Sequence, residues 1–132
     1  MTRVALVTGG SRGIGRMITE GLLAQGATVY ITARKEEACR ATAADLSQQY
    51  GEGRCVALPC DVSTTAGIAA LLDAFREHED HLDVLVNNAG AAWGAGFEEF
   101  PESGWDKVMD LNVKAPFFLT QAAKALLLAG RE

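Results

Sequence analysis

The sequence is poor in cysteine, has no excess of positive charge and contains no long apolar run. Its three cysteines, Cys39, Cys55 and Cys60, are odd in number and lack C-x-x-C spacing. We therefore expect reduced thiols that serve as small core side chains, and no metal site. A net charge of −5 argues against nucleic acid or an anionic membrane surface as a partner. No apolar stretch approaches the roughly 20 residues that a membrane-spanning helix needs.

The start and the length of the chain narrow the class of protein further. An apolar run begins at Val4 and leaves no space for a secretory signal peptide after Met1, so we expect a cytoplasmic protein. The 132 residues suffice for a buried core, although they are few for an enzyme that holds both a cofactor and a substrate. Neither repeats nor linkers interrupt the sequence, and we predict a single domain over residues 1–132.

Four short apolar runs, at residues 4–7, 28–32, 56–58 and 84–86, alternate with helical patterns. Such runs are typical of parallel strands that are covered by helices on both faces. The intervening segments repeat apolar residues at helical spacing, namely Ile14, Met17, Ile18 and Leu22, then Cys39, Ala43, Leu46 and Tyr50, then Ile68, Leu71, Leu72 and Phe75. With right-handed crossovers, the alternation predicts an α/β fold: a Rossmann-type doubly wound parallel sheet of about four strands, order 3-2-1-4, with flanking helices.

A glycine-rich turn joins the first predicted strand to the first predicted helix. It reads Thr8-Gly9-Gly10-Ser11-Arg12-Gly13-Ile14-Gly15. Glycines allow a tight turn and a close approach of the backbone to a pyrophosphate, and the N-terminus of the helix favours an anion. An ordinary loop is the alternative, but the strand before the turn and the helix after it favour a phosphate site. The predicted contacts are Gly9, Ser11, Arg12, Gly13, Ile14 and Gly15.

Three motifs together give the chain a family resemblance. They are T-G-x-x-x-G-x-G at residues 8–15, Asn87-Asn88-Ala89-Gly90 after the fourth run, and Asn112 in the helix that follows. Over essentially its whole length the chain resembles the short-chain dehydrogenase/reductase family. The resemblance implies a Rossmann-type sheet and hydride transfer between a nicotinamide cofactor and a carbonyl or alcohol. It also implies that Asn88, Ala89 and Gly90 line the cofactor crevice.

The residues after the second predicted strand bear on the choice of cofactor. The chain reads Thr32-Ala33-Arg34-Lys35 there, with no carboxylate before Glu36. In a Rossmann site an acidic residue at this place holds the ribose 2′-hydroxyl of NAD, whereas arginine accommodates the 2′-phosphate of NADP. Arg12 supplies a second guanidinium suited to phosphate oxygens. Solvated surface charges are the alternative, but the lack of a competing acid favours NADP(H), and Arg34 is a predicted contact.

Asp61-Val62 follows the third predicted strand. The resemblance implies that this pair holds the adenine ring of the cofactor. As an alternative, Asp61 caps the next helix, a role for which Ser63 competes.

Asn112 precedes a proline by four residues. Pro116 has no N–H to donate to the carbonyl of residue 112, so a helix that bends there leaves this carbonyl free. The resemblance implies that Asn112 holds a water molecule of the proton relay, which makes it the predicted catalytic residue. Alternatively, Pro116 lies harmlessly in the first turn of a helix.

The chain lacks the serine and the Tyr-x-x-x-Lys pair on which the reaction of that family depends. Tyr30 and Tyr50 are each followed four residues later by arginine, Arg34 and Arg54. We therefore expect the amino-terminal part of a longer reductase, inactive by itself. A nucleotide-binding module without chemistry and a truncation product are the alternatives.

Residues 115–129 are almost entirely apolar. A helix that is apolar all round must be covered on several sides, and the fourth strand would have an open edge. We therefore expect a homo-oligomer that associates through this last helix.

The substrate is expected to be a small carbonyl compound. Residues 87–113 are similar to β-ketoacyl reductases of the rhamnolipid-linked type, which implies a 3-oxoacyl thioester. Trp93, Phe97 and Trp105 fit an apolar acyl chain or, equally, packing. Sugars, steroids and small ketones are the other candidates.

Overall fold

The computed structural model describes residues 2–130, so Met1, Arg131 and Glu132 of the predicted domain lie outside the described residues. The described part contains one parallel sheet of four strands. They are β1 (Val4–Thr8), β2 (Thr28–Thr32), β3 (Cys55–Ala57) and β4 (Val84–Val86). Their order is β3-β2-β1-β4, which confirms the predicted fold class and strand order.

β1 lies at the centre of the sheet, where Leu6 pairs with Tyr30 on one side and Leu85 on the other. All five residues of β1 are buried, as expected for a strand with helices on both faces. β3 begins and ends one residue earlier than predicted. Leu58 is nevertheless buried, because its N–H continues the pairing by donating to the Ile31 carbonyl (2.9 Å).

Helices cover both faces of the sheet. They are α1 (Gly13–Ala24), α2 (Glu36–Tyr50), α3 (Thr65–Arg76), α4 (Glu102–Met109), α5 (Ala115–Ala122) and α6 (Lys124–Leu128), with a short 3₁₀ turn at Phe97–Glu99. Side chains of α1 and α2 form one core with the sheet, and those of α3, α5 and α6 form the other. Across residues 2–130, no helix is long and apolar enough to cross a membrane.

The predicted last helix is divided into α5 and α6 at Ala123, where ψ is 0°. This turn brings Leu126 against the segment before β4, where the Leu82 N–H donates to the Leu126 carbonyl (2.9 Å). One side of the pair of helices is therefore buried in the core. On the other side, Phe117 and Leu128 are 61% and 77% exposed.

The apolar stripe predicted for α1 is wrong at two of its positions. Ile14 and Met17 are 68% and 67% exposed, whereas the buried residues of α1 are Gly15, Thr19 and Leu23. A Cβ atom on Gly15 would overlap the Gly9 carbonyl, so the start of α1 packs closely on the glycine-rich turn. Larger side chains are turned away from this contact.

The three cysteines differ in burial, and β4 forms one edge of the sheet. Cys39 and Cys55 are buried, as predicted. Cys60, which follows β3 at the open end of the sheet, is partly exposed and packs against the edge of one core, so it is only in part the core thiol that was predicted. Among the described residues, β4 pairs with β1 and has no strand on its other side.

Candidate functional site

A cleft of about 550 Å³ lies at the carboxyl ends of the strands, which is where ligands bind to open α/β sheets. The twelve predicted cofactor-binding residues all line it: Gly9, Ser11, Arg12, Gly13, Ile14, Gly15, Arg34, Asp61, Val62, Asn88, Ala89 and Gly90. Thr32, Ala33, Lys35, Ala38, Cys60 and Leu111 complete the lining. The structure thus brings together four distant segments, while their contact with a cofactor stays a prediction.

The glycine-rich turn has the geometry of an anion site. Gly13 begins α1 with φ +56°, a left-handed conformation that favours glycine. Arg12 precedes the helix in an extended conformation and makes no side-chain cap. The first N–H groups of α1, whose residues line the cleft, therefore have no capping side chain as an acceptor. The other end of the turn is fixed, because the Gly9 N–H donates to the Thr32 carbonyl (2.8 Å).

Thr8 joins this turn to the segment after β4. Its Oγ1 atom accepts from the N–H groups of Asn88 and Ala89, both at 2.9 Å, and donates to the Val86 carbonyl at 3.3 Å. The Asn88 side-chain amide in turn donates to the Gly9 carbonyl (3.1 Å). Thr8 was not among the predicted site residues, although its place at the start of the glycine motif could have pointed to it.

The charges that line the cleft are mostly positive. Arg12, Arg34 and Lys35 face a single carboxylate among the lining residues, Asp61. Hydrogen bonds from Ser63 hold the pKa of Asp61 below its ordinary value, so this carboxylate is ionised at neutral pH. The local charge excess therefore favours an anionic ligand, in contrast to the net negative charge of the whole chain.

The alternative that Asp61 or Ser63 caps α3 is wrong. The cap is Thr64, whose hydroxyl accepts from the Gly67 N–H at 3.0 Å. Asp61 Oδ1 instead accepts from the N–H (3.0 Å) and the hydroxyl (2.6 Å) of Ser63. Asp61 is thereby held in a tight turn at the rim of the cleft.

Asn112 lies in a π-helical turn, Asp110–Lys114, between α4 and α5. Pro116 is the second residue of α5, so it lies in the first turn of that helix, and the π-helical turn leads directly into it. The structure thus combines the irregular helix with the first-turn position. The Asn112 amide donates to the Ala91 carbonyl (2.7 Å), and its oxygen accepts from the Ala91 N–H (3.2 Å). Asn112 is not among the residues that line the cleft, and its catalytic role stays a prediction.

Neither tyrosine lines the cleft. Tyr30 is buried and donates to Glu79 Oε2 (2.6 Å); burial, together with this bond, raises the pKa of Tyr30 well above its ordinary value. Tyr50 Oη lies 3.5 Å from Glu20 Oε1 at the end of α2. Both phenols are used for packing at a distance from the cleft.

The aromatic residues predicted near the mouth of the crevice differ in their surroundings. The Trp93 ring packs on Gly104, where a Cβ atom would lie 2.8 Å from it, and Lys107 Nζ lies 5.9 Å from the ring centroid. Phe97 is 97% exposed and Trp105 is 59% exposed. Trp93 thus packs against α4, whereas Phe97 and Trp105 lie at the surface.

A family model described as short chain dehydrogenase matches residues 3–132. The chain belongs to the short-chain dehydrogenase family. It is 54% identical over 125 residues to the rhamnolipids biosynthesis 3-oxoacyl-[acyl-carrier-protein] reductase of Pseudomonas aeruginosa, an alignment that covers 95% of this chain and 48% of that protein. It is 40% identical over 138 residues to mouse dehydrogenase/reductase SDR family member 1, covering 98% and 44% respectively.

Solved structures show the same likeness. The Pseudomonas aeruginosa RhlG/NADP active-site complex superposes with a TM-score of 0.92 at 52% identity, over 98% of this chain and 50% of that one. L-Sorbose reductase from Gluconobacter frateurii, complexed with NADPH and L-sorbose, gives 0.91 at 30% identity, over 97% and 48%. The chain thus spans about half the length of the relatives it matches.

Proposed function

We propose that this chain is the NADP(H)-binding part of a longer short-chain reductase that transfers hydride to a carbonyl group. The observation that carries the proposal is the cleft itself, in which the uncapped start of α1 and three cations meet one carboxylate. A dinucleotide phosphate fits this arrangement, because backbone N–H groups and guanidinium groups are its natural partners.

The residues have distinct proposed roles. The turn from Gly9 to Gly15 would hold the pyrophosphate, Asp61 and Val62 the adenine, and the segment from Asn88 to Gly90 would limit the crevice on the β4 side. When bound, NADP(H) supplies the hydride, and this chain binds and orients it. The Asn112 side chain fixes Ala91 beside this crevice. The main-chain carbonyl of Asn112 is then the group left for the predicted contact with water.

The choice of NADP(H) over NAD(H) is proposed from Arg12, Arg34 and Lys35. All three line the cleft, and no carboxylate among the lining residues follows β2 directly. The solved RhlG and L-sorbose reductase structures are complexes with NADP and NADPH, which supports the proposal. The 3-oxoacyl substrate is proposed from the name of the Pseudomonas relative and from the exposed aromatic side chains after β4.

We also propose that this chain binds the cofactor without turning a substrate over. Tyr30 donates a hydrogen bond to Glu79 and lies in the core, so it is in no position to protonate a substrate in the cleft. Catalysis would then need a tyrosine and a lysine from the remainder of a full-length reductase. Self-association through the exposed side of α5 and α6 is part of the same proposal.

Calorimetric titration of the chain with NADPH and, separately, NADH tests the proposal. We expect NADPH to bind more tightly, and Arg34→Ala to weaken NADPH by about 10- to 100-fold, because a hydrogen bond to a charged group contributes about 1.5–3 kcal/mol. Arg40→Ala is the matched control, since Arg40 pairs with Glu36 on the exposed side of α2 and does not line the cleft. Equal affinity for both cofactors at low salt, or no binding by a folded chain, would contradict the proposal.

A further inference from the structure

A buried hydroxyl on α2 contacts the glycine-rich turn from behind. Thr42 is 6% exposed, and its Oγ1 atom donates to the Ser11 carbonyl at 2.8 Å. A threonine within a helix commonly donates to the carbonyl four residues earlier in the same helix. Here the hydroxyl instead makes a bond to a residue 31 positions away, so it links two elements of the fold.

The Ser11 carbonyl belongs to the peptide group that leads into Arg12. Arg12 is extended (φ −158°, ψ 169°), and its own carbonyl accepts from the Arg16 N–H (3.2 Å). The backbone of Arg12 is therefore fixed on one side by Thr42 and on the other by the first turn of α1. A second link follows one turn later on α2, where Asp45 forms an ion pair with Arg16.

The same helix also begins directly after Arg34 and Lys35. Its start is held to β2, because Cys39 Sγ donates to the Ile31 carbonyl (3.6 Å). α2 thus fixes the backbone at both arginines: it follows Arg34 along the chain and contacts the peptide before Arg12 through Thr42. The distance between the two guanidinium groups depends on how α2 lies against the turn.

We propose that Thr42 is a positioning residue that sets the preference for a 2′-phosphorylated nucleotide, by holding the Ser11–Arg12 peptide so that Arg12 and Arg34 converge on one phosphate. This inference rests on the proposed function. The two ends of the turn that would hold the pyrophosphate have attachments of their own, since the Gly9 N–H is held by the Thr32 carbonyl and Gly15 packs on Gly9. Loss of the Thr42 hydroxyl therefore weakens recognition of the 2′-phosphate more than binding of the rest of the nucleotide.

The test compares adenosine 2′,5′-bisphosphate with 5′-AMP, two probes that differ only in the 2′-phosphate. The preference for the 2′-phosphate is the dissociation constant of 5′-AMP divided by that of the bisphosphate. In Thr42→Val, we expect this ratio to fall by roughly 3- to 10-fold, the equivalent of one hydrogen bond. Thr42→Ser keeps the hydroxyl and should restore the wild-type ratio. Thr42→Ala serves as a second variant if the valine is not accommodated.

Ser47→Ala is the matched control on the same helix. Ser47 Oγ bonds to the carbonyl (2.9 Å) and the N–H (3.2 Å) of Cys55, so its loss should lower stability and leave the ratio unchanged. A wild-type ratio in both Thr42→Val and Thr42→Ala would overturn the inference while leaving the proposed function intact. A wild-type chain that fails to prefer the bisphosphate would overturn both.

Discussion

Replacement of Thr8 by valine removes one buried oxygen that joins β1 to the segment after β4. In the wild type, Thr8 Oγ1 accepts from two N–H groups, those of Asn88 and Ala89, each at 2.9 Å. Valine has nearly the same shape and offers neither N–H an acceptor. The structure therefore predicts a loss of stability that comes from unpaired donors and involves little change in packing.

The size of this loss follows from the burial of the two donors. An unsatisfied buried donor costs about 1–3 kcal/mol, and Asn88 and Ala89 are only half-buried. The lower part of this range therefore applies to each of the two donors. Together they should lower the free energy of unfolding of Thr8→Val by about 2–3 kcal/mol. For a chain of this size, that corresponds to a decrease in Tm of roughly 8–12 °C.

Urea and thermal unfolding followed by circular dichroism measure the effect, with Thr8→Ser as the matched control. Serine keeps the oxygen and loses one methyl group, which costs about 0.8 kcal/mol. The reasoning is refuted if Thr8→Val unfolds like the wild type. It is also refuted if serine and valine destabilise the chain equally, since the methyl group would then matter more than the oxygen.

Three further predictions follow from other parts of the structure. Cys60 lines the cleft and should be alkylated before the two buried cysteines, with NADPH slowing its modification as read by mass spectrometry. Burial raises the pKa of the Tyr30 phenol in the folded chain, so the unfolded chain loses the phenolic proton at a lower pH than the folded chain does. The contribution of Tyr30 to the free energy of unfolding is therefore complete below about pH 10 and is lost at higher pH. Tyr30→Phe should remove this loss, which unfolding midpoints measured at increasing pH would show. Phe117→Glu places a charge on the exposed side of α5 and should shift the chain towards monomer in sedimentation velocity, whereas an unchanged distribution would exclude this side as the interface.

The sequence was sufficient for the order of the strands and for the residues around the cleft. The strands and the glycine-rich turn follow from local signals, namely short apolar runs and a glycine motif whose spacing reflects the turn it must make, whereas the segment from Asn88 to Gly90 was predicted from the family resemblance. Local patterns failed where tertiary packing decided the outcome. Ile14 and Met17 match a helical stripe, yet they are exposed, because the buried side of α1 runs through Gly15, Thr19 and Leu23 instead.

Thr8 and Thr42 show a second limit of the sequence. Each acts through a side-chain bond to the backbone of a segment far along the chain, 80 and 81 residues away for Thr8 and 31 for Thr42. Periodicity carries no information on such bonds, since a threonine in a strand or a helix gives the same pattern whether or not its hydroxyl has a distant partner. Only the fold brings these hydroxyls to their acceptors and donors.

Side-chain bonds of this kind also hold the wall of the cleft that lies next to the open edge of β4. The segment after β4 has no strand on its outer side among the described residues, so strand pairing holds it from one side only. Thr8 fixes its beginning at Asn88 and Ala89, and Asn112 fixes its continuation at Ala91 from the π-helical turn. Because Gly90 lies between these two attachments, the cleft wall on this side is held from β1 and from the π-helical turn between α4 and α5.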